Sequence, residues 1–299
     1  ECEKCDGQLR SEAKAYMSIR IFQNASYPFL QWRRRTYMLS GAMLAVGVVA
    51  MIANIVSIGT WQDYGVDFTG GTRVVVRVPQ GTTVDDLREA LGGGESIPIS
   101  GFGAENEFTI RVPPSGGQDS EDAVDGVLAA LEASPAVGDF EVLEREFVGP
   151  TIGGELQTRA LLAILISFVA TLIYLAARFE FRFGLAAVIA TVHDISITLG
   201  VMALLRLEVS LPAVAAVLTV IGYSLNDTIV VFDRIRENLN KKGGRREDQE
   251  ALINRSVNEV LPRTCMTASA TLGVLIVLAL LGGSVLRDFS IILILGIVI

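Results

Sequence analysis

The residues of this 299-residue chain best placed to do chemistry are carboxylates set inside long apolar runs. Asp227 lies in the run 211–232, where Thr219, Gly222, Tyr223, Asn226, Asp227 and Val230 fall at helical spacing on one face and put an amide and a carboxylate on one polar stripe. Asp194 lies in the run 183–205, sharing a face with Thr191 and Thr198, while His193, the single histidine, is set about 100° round the helix on the other side. Arg263 opens the run 264–281, and Thr267 and Thr271 follow it at the same spacing. An ionisable group within a span costs ~2.5–3.5 kcal/mol on insertion scales, so each is a functional candidate by default. The chemistry such a set supports is proton transfer: a carboxylate for which burial and a nearby cation compete can bind and release a proton as the geometry changes. The alternative is a static polar contact between helices, with Arg263 snorkelling to the interface and His193 a packed, hydrogen-bonded side chain.

Other chemistries find little support. Cys2 and Cys5 form a C-x-x-C, but no second pair or neighbouring histidine completes a four-ligand site, and Cys265 is a solitary small apolar residue in a span. Asn226-Asp227-Thr228 matches a glycosylation acceptor but sits where the bilayer is expected. No G-x-x-x-x-G-K-[ST] occurs, and Lys242-Gly243-Gly244-Arg245 is not a phosphate loop, so ATP hydrolysis by a P-loop is excluded. Neither a cofactor nor a metal is expected.

The elements that must hold these residues follow from composition. Hydrophobic residues make up 51% of the chain, charged residues 19%, and the net charge is −8. The apolar residues gather in runs at 38–57, 160–177, 183–205, 211–232 and 264–281, with an unfinished sixth from 289. Runs of about 20 residues cross a hydrocarbon core of ~30 Å. The composition therefore describes a multi-pass membrane protein and excludes a soluble two-domain enzyme, a disordered chain, a disulfide scaffold and a nucleic-acid binder. The missing initial Met and the stop within an apolar run make both ends read as cut, the last span being half present.

Basic residues fix the expected orientation. Arg33, Arg34 and Arg35 precede the first run, Arg178 and Arg182 follow the second, and Arg234, Arg236, Lys241, Lys242, Arg245, Arg246, Arg255 and Arg263 lie between the fourth and fifth. The alternate short loops hold only Arg206 and Arg287. The N-terminus is thus expected in the cytoplasm. The expected organisation is a cytoplasmic segment (1–37), a first span (38–58), an external domain (59–157), and spans two to six (158–299), the last incomplete, with a basic cytoplasmic loop at about 233–263. The external segment holds 18 acidic and 5 basic residues, so its net −13 leaves +5 for the rest.

Within that segment, 73–78 alternates as a strand, and Thr83 caps a helix over 84–91 with Asp85 and Asp86 in its first turn and Gly92, Gly93 and Gly94 at its end. Strands are expected at 97–102 and 107–112, an amphipathic helix at 119–133 and a last strand at 139–148. The order βαββαβ is that of a ferredoxin-like split βαβ module, suited to docking or leverage rather than to an enzyme cleft.

Two stretches carry a resemblance. Val66-Asp67-Phe68-Thr69-Gly70-Gly71-Thr72 and Gly222-Tyr223-Ser224-Leu225-Asn226-Asp227-Thr228-Ile229-Val230-Val231-Phe232-Asp233-Arg234-Ile235-Arg236-Glu237-Asn238 resemble the signatures of the SecF protein-export family, on the SecD/SecF branch of the RND superfamily. Val148-Gly149-Pro150 with Gly154-Glu155-Leu156, Val192-His193-Asp194, and Arg263-Thr264 with Thr267-Ala268-Ser269 match in type and order, so the likeness covers roughly 30–299. The resemblance implies a six-span half-transporter of a prokaryotic plasma (inner) membrane. Such a subunit pairs with SecD, works with the SecYEG channel and draws exported polypeptide across the lipid bilayer using the proton motive force. It also implies that Asp227 and Arg263 conduct protons, with Asp194 and Asn226 at matching positions, and that Asp67, Phe68, Gly70 and Gly71 form a coupling turn whose glycines permit positive φ where the chain leaves the membrane. Na⁺ in place of H⁺ stays open, since Asn, Ser and Thr oxygens surround the carboxylate. Two other readings stay open as well: a proton-driven small-molecule exporter, and a non-transporting scaffold for a partner subunit.

Overall fold

The computed structural model describes residues 25–92, 97–101, 106–113, 120–178, 181–241 and 248–299. Cys2 and Cys5, Gly93 and Gly94, the end of the strand expected at 97–102, the start of the helix expected at 119, and Lys242, Arg245 and Arg246 lie outside the described residues. The chain divides into two compact units, residues 35–228 with 271–299, and the N-terminal residues to Arg34 with 229–270.

In chain order the elements are helix α1 (Arg33–Ile58), strand β1 (Asp63–Tyr64), the single turn α2 (Val66–Thr69), β2 (Gly71–Arg77), α3 (Val84–Ala90), β3 (Ile99–Gly101), β4 (Glu107–Val112), α4 (Ser120–Glu132), β5 (Glu141–Val148), α5 (Pro150–Arg178), α6 (Phe181–Leu205), β6 (Glu208–Val209), α7 (Leu211–Asn240), α8 (Gln249–Leu281) and α9 (Gly283–Val298). Among the described residues five helices, α1 and α5 to α8, are long and apolar enough to cross a membrane. At 16 residues α9 is shorter than a full crossing.

The helices outrun the apolar stretches that announce them. α5 begins at Pro150, ahead of the run at 160, with proline at the position where its missing N–H costs nothing. α7 continues to Asn240, and α8 begins at Gln249. The basic connection expected as a loop over 233–263 is therefore helical along most of its length. Hydropathy marks only the part of a helix that meets lipid, whereas the backbone ladder continues as long as propensity and side-chain pairing sustain it. Here Arg234 pairs with Glu259 at 2.6 Å, and Asn238 donates to Ser256 at 3.0 Å and to Glu259 at 2.8 Å, tying the two helical extensions together.

The inserted domain is a four-stranded antiparallel sheet in the order β3-β4-β2-β5. Alternation puts Val74, Val76 and Val78 of the β2 strand and its exit, with Phe108, Ile110 and Val112 of β4, on one face. Leu87 of α3 and Val124, Val127 and Leu131 of α4 close over that face to make the core. The expected cap is in place: Thr83 and Asp86 form a reciprocal capping box at the start of α3, and Gly92 ends the turn at φ 89°. The opposite face carries Arg73, Thr109 and Arg111.

A second ladder was not foreseeable from local pattern. β1 pairs in parallel with β6, Asp63 opposite Glu208 and Tyr64 opposite Val209, joining the start of the inserted domain to the turn between α6 and α7.

Candidate functional site

α1 and α6 lie against each other along one seam. Ser40, Gly47 and Asn54 recur every seven residues on α1, as do His193 and Gly200 on α6. Ser40 Oγ and His193 Nε2 are hydrogen-bonded, and Asn54 Nδ2 donates to the Ala203 carbonyl at 2.9 Å. Between them, a Cβ on Gly47 would fall 2.7 Å from the Cα of Gly200, so the backbones touch as only glycine allows. Numbers rise together along both helices, which makes the pair parallel.

On α6 the expected polar face resolves differently from its spacing. Thr191 Oγ1 donates to the Ala187 carbonyl at 3.0 Å and Thr198 Oγ1 to the Asp194 carbonyl at 2.8 Å, so both hydroxyls serve their own helix and neither reaches the Asp194 carboxylate. His193, expected on the other side, is brought to Asp194 instead, with Nδ1 2.9 Å from Oδ1. Neighbouring Cα–Cβ bonds diverge by about 100°, but the ring is long enough to turn back along the helix surface. Against an ionised carboxylate Nδ1 is the donor, a tautomer in which Nε2 accepts from Ser40. The other carboxylate oxygen, Oδ2, accepts from Ser224 Oγ of α7 at 2.8 Å. Ser40, His193, Asp194 and Ser224 thus form one continuous hydrogen-bonded chain across three helices.

Two and three residues beyond Ser224 on α7, Asn226 Nδ2 donates to Asp227 Oδ1 at 3.4 Å, Asn226 being exposed and Asp227 half-buried. Tyr223 Oη and Thr271 Oγ1 are 3.2 Å apart. Arg263 is an exposed residue of α8 in the unit formed by 229–270 and the N-terminal residues, whereas Asp194, Asn226 and Asp227 belong to the other. Thr267 Oγ1 donates to the Arg263 carbonyl at 3.1 Å.

The glycine-bearing turn after β1 makes a second constellation. α2 is a single helical turn, and Gly70 (φ 72°) and Gly71 (φ 114°) then reverse the chain into β2 in conformations a side chain would strain. Asp67, buried, accepts the Leu211 N–H at 2.7 Å, one of the free donors at the start of α7. Gln157 Nε2 of α5 donates to the Phe68 carbonyl at 3.1 Å. A Cβ on Gly153 of α5 would stand 3.0 Å from both Gly70 N and Phe68 O, so the turn rests directly on that helix. Asp67, Phe68, Gly70 and Gly71 therefore meet the starts of two long helices.

The β1–β6 ladder flanks this turn. Arg111 of β4 grips Asp63 with both terminal nitrogens, at 2.7 and 2.9 Å, and donates to the Tyr64 carbonyl at 3.2 Å. Glu208 Oε1 lies over Gly65, where a Cβ would come within 2.2 Å of it. Burial pushes the Glu208 carboxyl above its ordinary range, against the pull of Arg111 and Arg73. Beside it a cavity of about 430 Å³ opens between the sheet face that carries Arg73 and Thr109 and the α6–α7 turn, with Glu208 and Asp288 also in its lining. Spacing alone gave no sign of Asp63, Arg111, Glu208 or Gly153. The seven-residue recurrence of Ser40, Gly47 and Asn54 is the one local signal that could have pointed to the helix seam.

Comparison with known proteins agrees with this layout. Residues 129–299 match the family described as protein export membrane protein SecD/SecF, C-terminal, and residues 63–79 match the SecD/SecF GG motif. The chain is 42% identical over 287 residues to protein translocase subunit SecF of Gemmatimonas aurantiaca, covering 94% of this chain and 84% of that protein. It is 34% identical over 273 residues to the SecF subunit of Escherichia coli O157:H7, covering 91% and 82%. Among solved structures it resembles SecDF, a translocon-associated membrane protein from Thermus thermophilus, with a TM-score of 0.77, 38% identity and 92% of this chain covered. A crystal structure of SecDF in a super-membrane-facing form gives a TM-score of 0.62 at 37% identity over 92% of this chain. The chain spans 36% of the length of either SecDF chain. With a family model over more than half its length and relatives matched nearly end to end, the chain belongs to the SecF family of protein translocase subunits.

Proposed function

We propose that this SecF subunit pairs with SecD as a six-span half of an RND-type transporter in the inner membrane. Its N-terminus is cytoplasmic and its ferredoxin-like domain external, and together with the SecYEG channel it uses the proton motive force to draw polypeptide outward. It is a gradient-driven motor rather than an enzyme and uses no resident cofactor. One observation carries the reading: α7 receives Asp67 of the glycine turn on its first N–H and, sixteen residues on, ~24 Å along the helix, bears Asp227, with Ser224 on Asp194 between them. A change of protonation at Asp194 or at Asp227, the latter hydrogen-bonded by Asn226, would shift α7 and be felt by the turn that leads into the domain. Arg263 is the cation this reading assigns to the cycle.

The energy is adequate. One charge crossing ~150 mV releases about 3.5 kcal/mol, and moving a two-state equilibrium from 1:99 to 99:1 takes about 5.5 kcal/mol. One proton biases such a switch and about two throw it. The test follows late export into vesicles under an imposed proton gradient with Asp227→Asn and, separately, Arg263→Met. Both are expected to lose the gradient's stimulation. Wild-type stimulation in either would remove the relay, and full function of Asp227→Asn would favour a scaffold. A sodium gradient run in parallel identifies the coupling ion.

A further inference from the structure

The helix-spanning chain Ser40–His193–Asp194–Ser224 has a use beyond packing. Its connectivity is that of a serine–histidine–aspartate set: a hydroxyl on Nε2 and a carboxylate on Nδ1. A hydrolase would further require N–H donors aimed at an oxyanion, but Ser40 lies inside α1, where the neighbouring backbone N–H groups are spent on the helix. What remains to such an arrangement is proton transfer.

We propose that Ser40, His193, Asp194 and Ser224 form a proton-carrying branch of the motor, with His193 the group that passes the proton between α1 and Asp194. The inference rests on the proton-driven reading above and deepens it. In one passage Ser40 Oγ gives its proton to His193 Nε2 while taking another from water on its far side. The N–H bond at Nδ1 then breaks and its proton goes to Asp194 Oδ1. The carboxyl then turns about Cβ–Cγ, so that the oxygen now bearing the proton faces Ser224, and gives that proton to Ser224 Oγ as the hydroxyl releases its own onward. One proton enters, one leaves, no charge remains, and the imidazole is left in its other tautomer until the reverse transfer or a ring turn resets it.

The placement gives this transfer a mechanical consequence. α1 and α6 are locked together by the Gly47–Gly200 contact and by Asn54, whereas Ser224 joins α6 to α7 through a hydroxyl on the carboxylate that gains and loses the proton. Proton passage therefore acts where the rigid pair meets the helix that holds Asp67.

Residues 1–299 contain a single histidine, so ¹⁵N-histidine labelling of this subunit alone, beside unlabelled partners and with the signal assigned by its loss in His193→Gln, reports on His193. In the full-length protein reconstituted with SecD and SecYEG, the ring is expected to populate both neutral tautomers. His193→Gln keeps a donor and an acceptor but cannot pass a proton, and is expected to lower gradient-driven proton influx about tenfold or more and to lose the stimulation of export. Ser40→Ala is expected to move both readings in the same direction. Wild-type influx in His193→Gln alongside a loss in Asp227→Asn overturns the branch and leaves the relay standing. Wild-type behaviour in both overturns the reading beneath it. A ring held in one tautomer, even with influx lost in His193→Gln, assigns His193 to packing and overturns the proposal as well.

Discussion

Asp67 and Glu208 are carboxylates at the foot of the inserted domain, the first buried and the second half-buried. Asp67 receives the free N–H of Leu211 at a helix N-terminus, where the backbone dipole favours negative charge. Glu208 has no such donor and sits over Gly65 within reach of the field of Arg111 and Arg73, so burial prevails and its carboxyl is held above its ordinary value of 4.5. The folded protein then binds this proton more tightly than the unfolded chain. The resulting stability is fully present below the ordinary value and is lost as pH rises through the raised one. Glu208→Gln is therefore expected to unfold at a higher temperature than wild type in detergent at pH 7.5, with the gap closing as pH falls toward 4.5. Parallel pH profiles for the two proteins would contradict the burial argument.

At the scale of elements, the seam between α1 and α6 is the clearest case of close backbone packing between two long helices. In lipid, association cannot draw on the hydrophobic effect and depends on close backbone approach and on interhelical hydrogen bonds. Gly47 and Gly200 supply the first, and Ser40 with His193 and Asn54 with Ala203 the second. Gly200→Leu is expected to force the helices apart at a cost of about 1–3 kcal/mol, the usual range for overpacking. It would lower the detergent unfolding temperature and, by separating Ser40 from His193, disturb the ¹⁵N signals of the ring. Unchanged unfolding would show that the contact is not close-packed. Elements whose signals are local were readable beforehand: Thr83 caps α3 as its spacing indicates, and Gly92 closes it. β1 and β6 were not, because two residues on each side show no period and become strands only by meeting each other.

In the larger unit, residues 35–228 with 271–299, the inserted domain is joined to the helices by Gln62 on the Leu199 carbonyl, Asp67 on Leu211, the turn on Gly153 and Gln157, and the β1–β6 ladder under Arg111. Arg111 secures the last while its neighbours Ile110 and Val112 face the domain core, so the joint can be loosened without unfolding the domain. Arg111→Met is expected to weaken the joint by about 1.5–3 kcal/mol, the worth of hydrogen bonds to a charged group. Hydrogen exchange should quicken at Gly65, whose N–H is bonded to Val209, while Val74 and Val76 stay protected. Protection lost throughout the sheet would mean instead that Arg111 supports the domain itself.

From the sequence alone came the multi-pass reading, the place of the inserted domain along the chain, the order of that domain's strands and helices, and the setting of Asp194 and Asp227 inside apolar runs. Each of these is written in hydropathy, period and capping, which are local to a segment. It took the folded chain to show that His193 turns toward Asp194, that Ser40 and Ser224 complete a chain through it, that Asp67 caps a helix 144 residues away, and that Arg111 holds Asp63 beside Glu208. Those pairings depend on which faces dock and how closely glycine lets them approach, and no repeat within one segment encodes that.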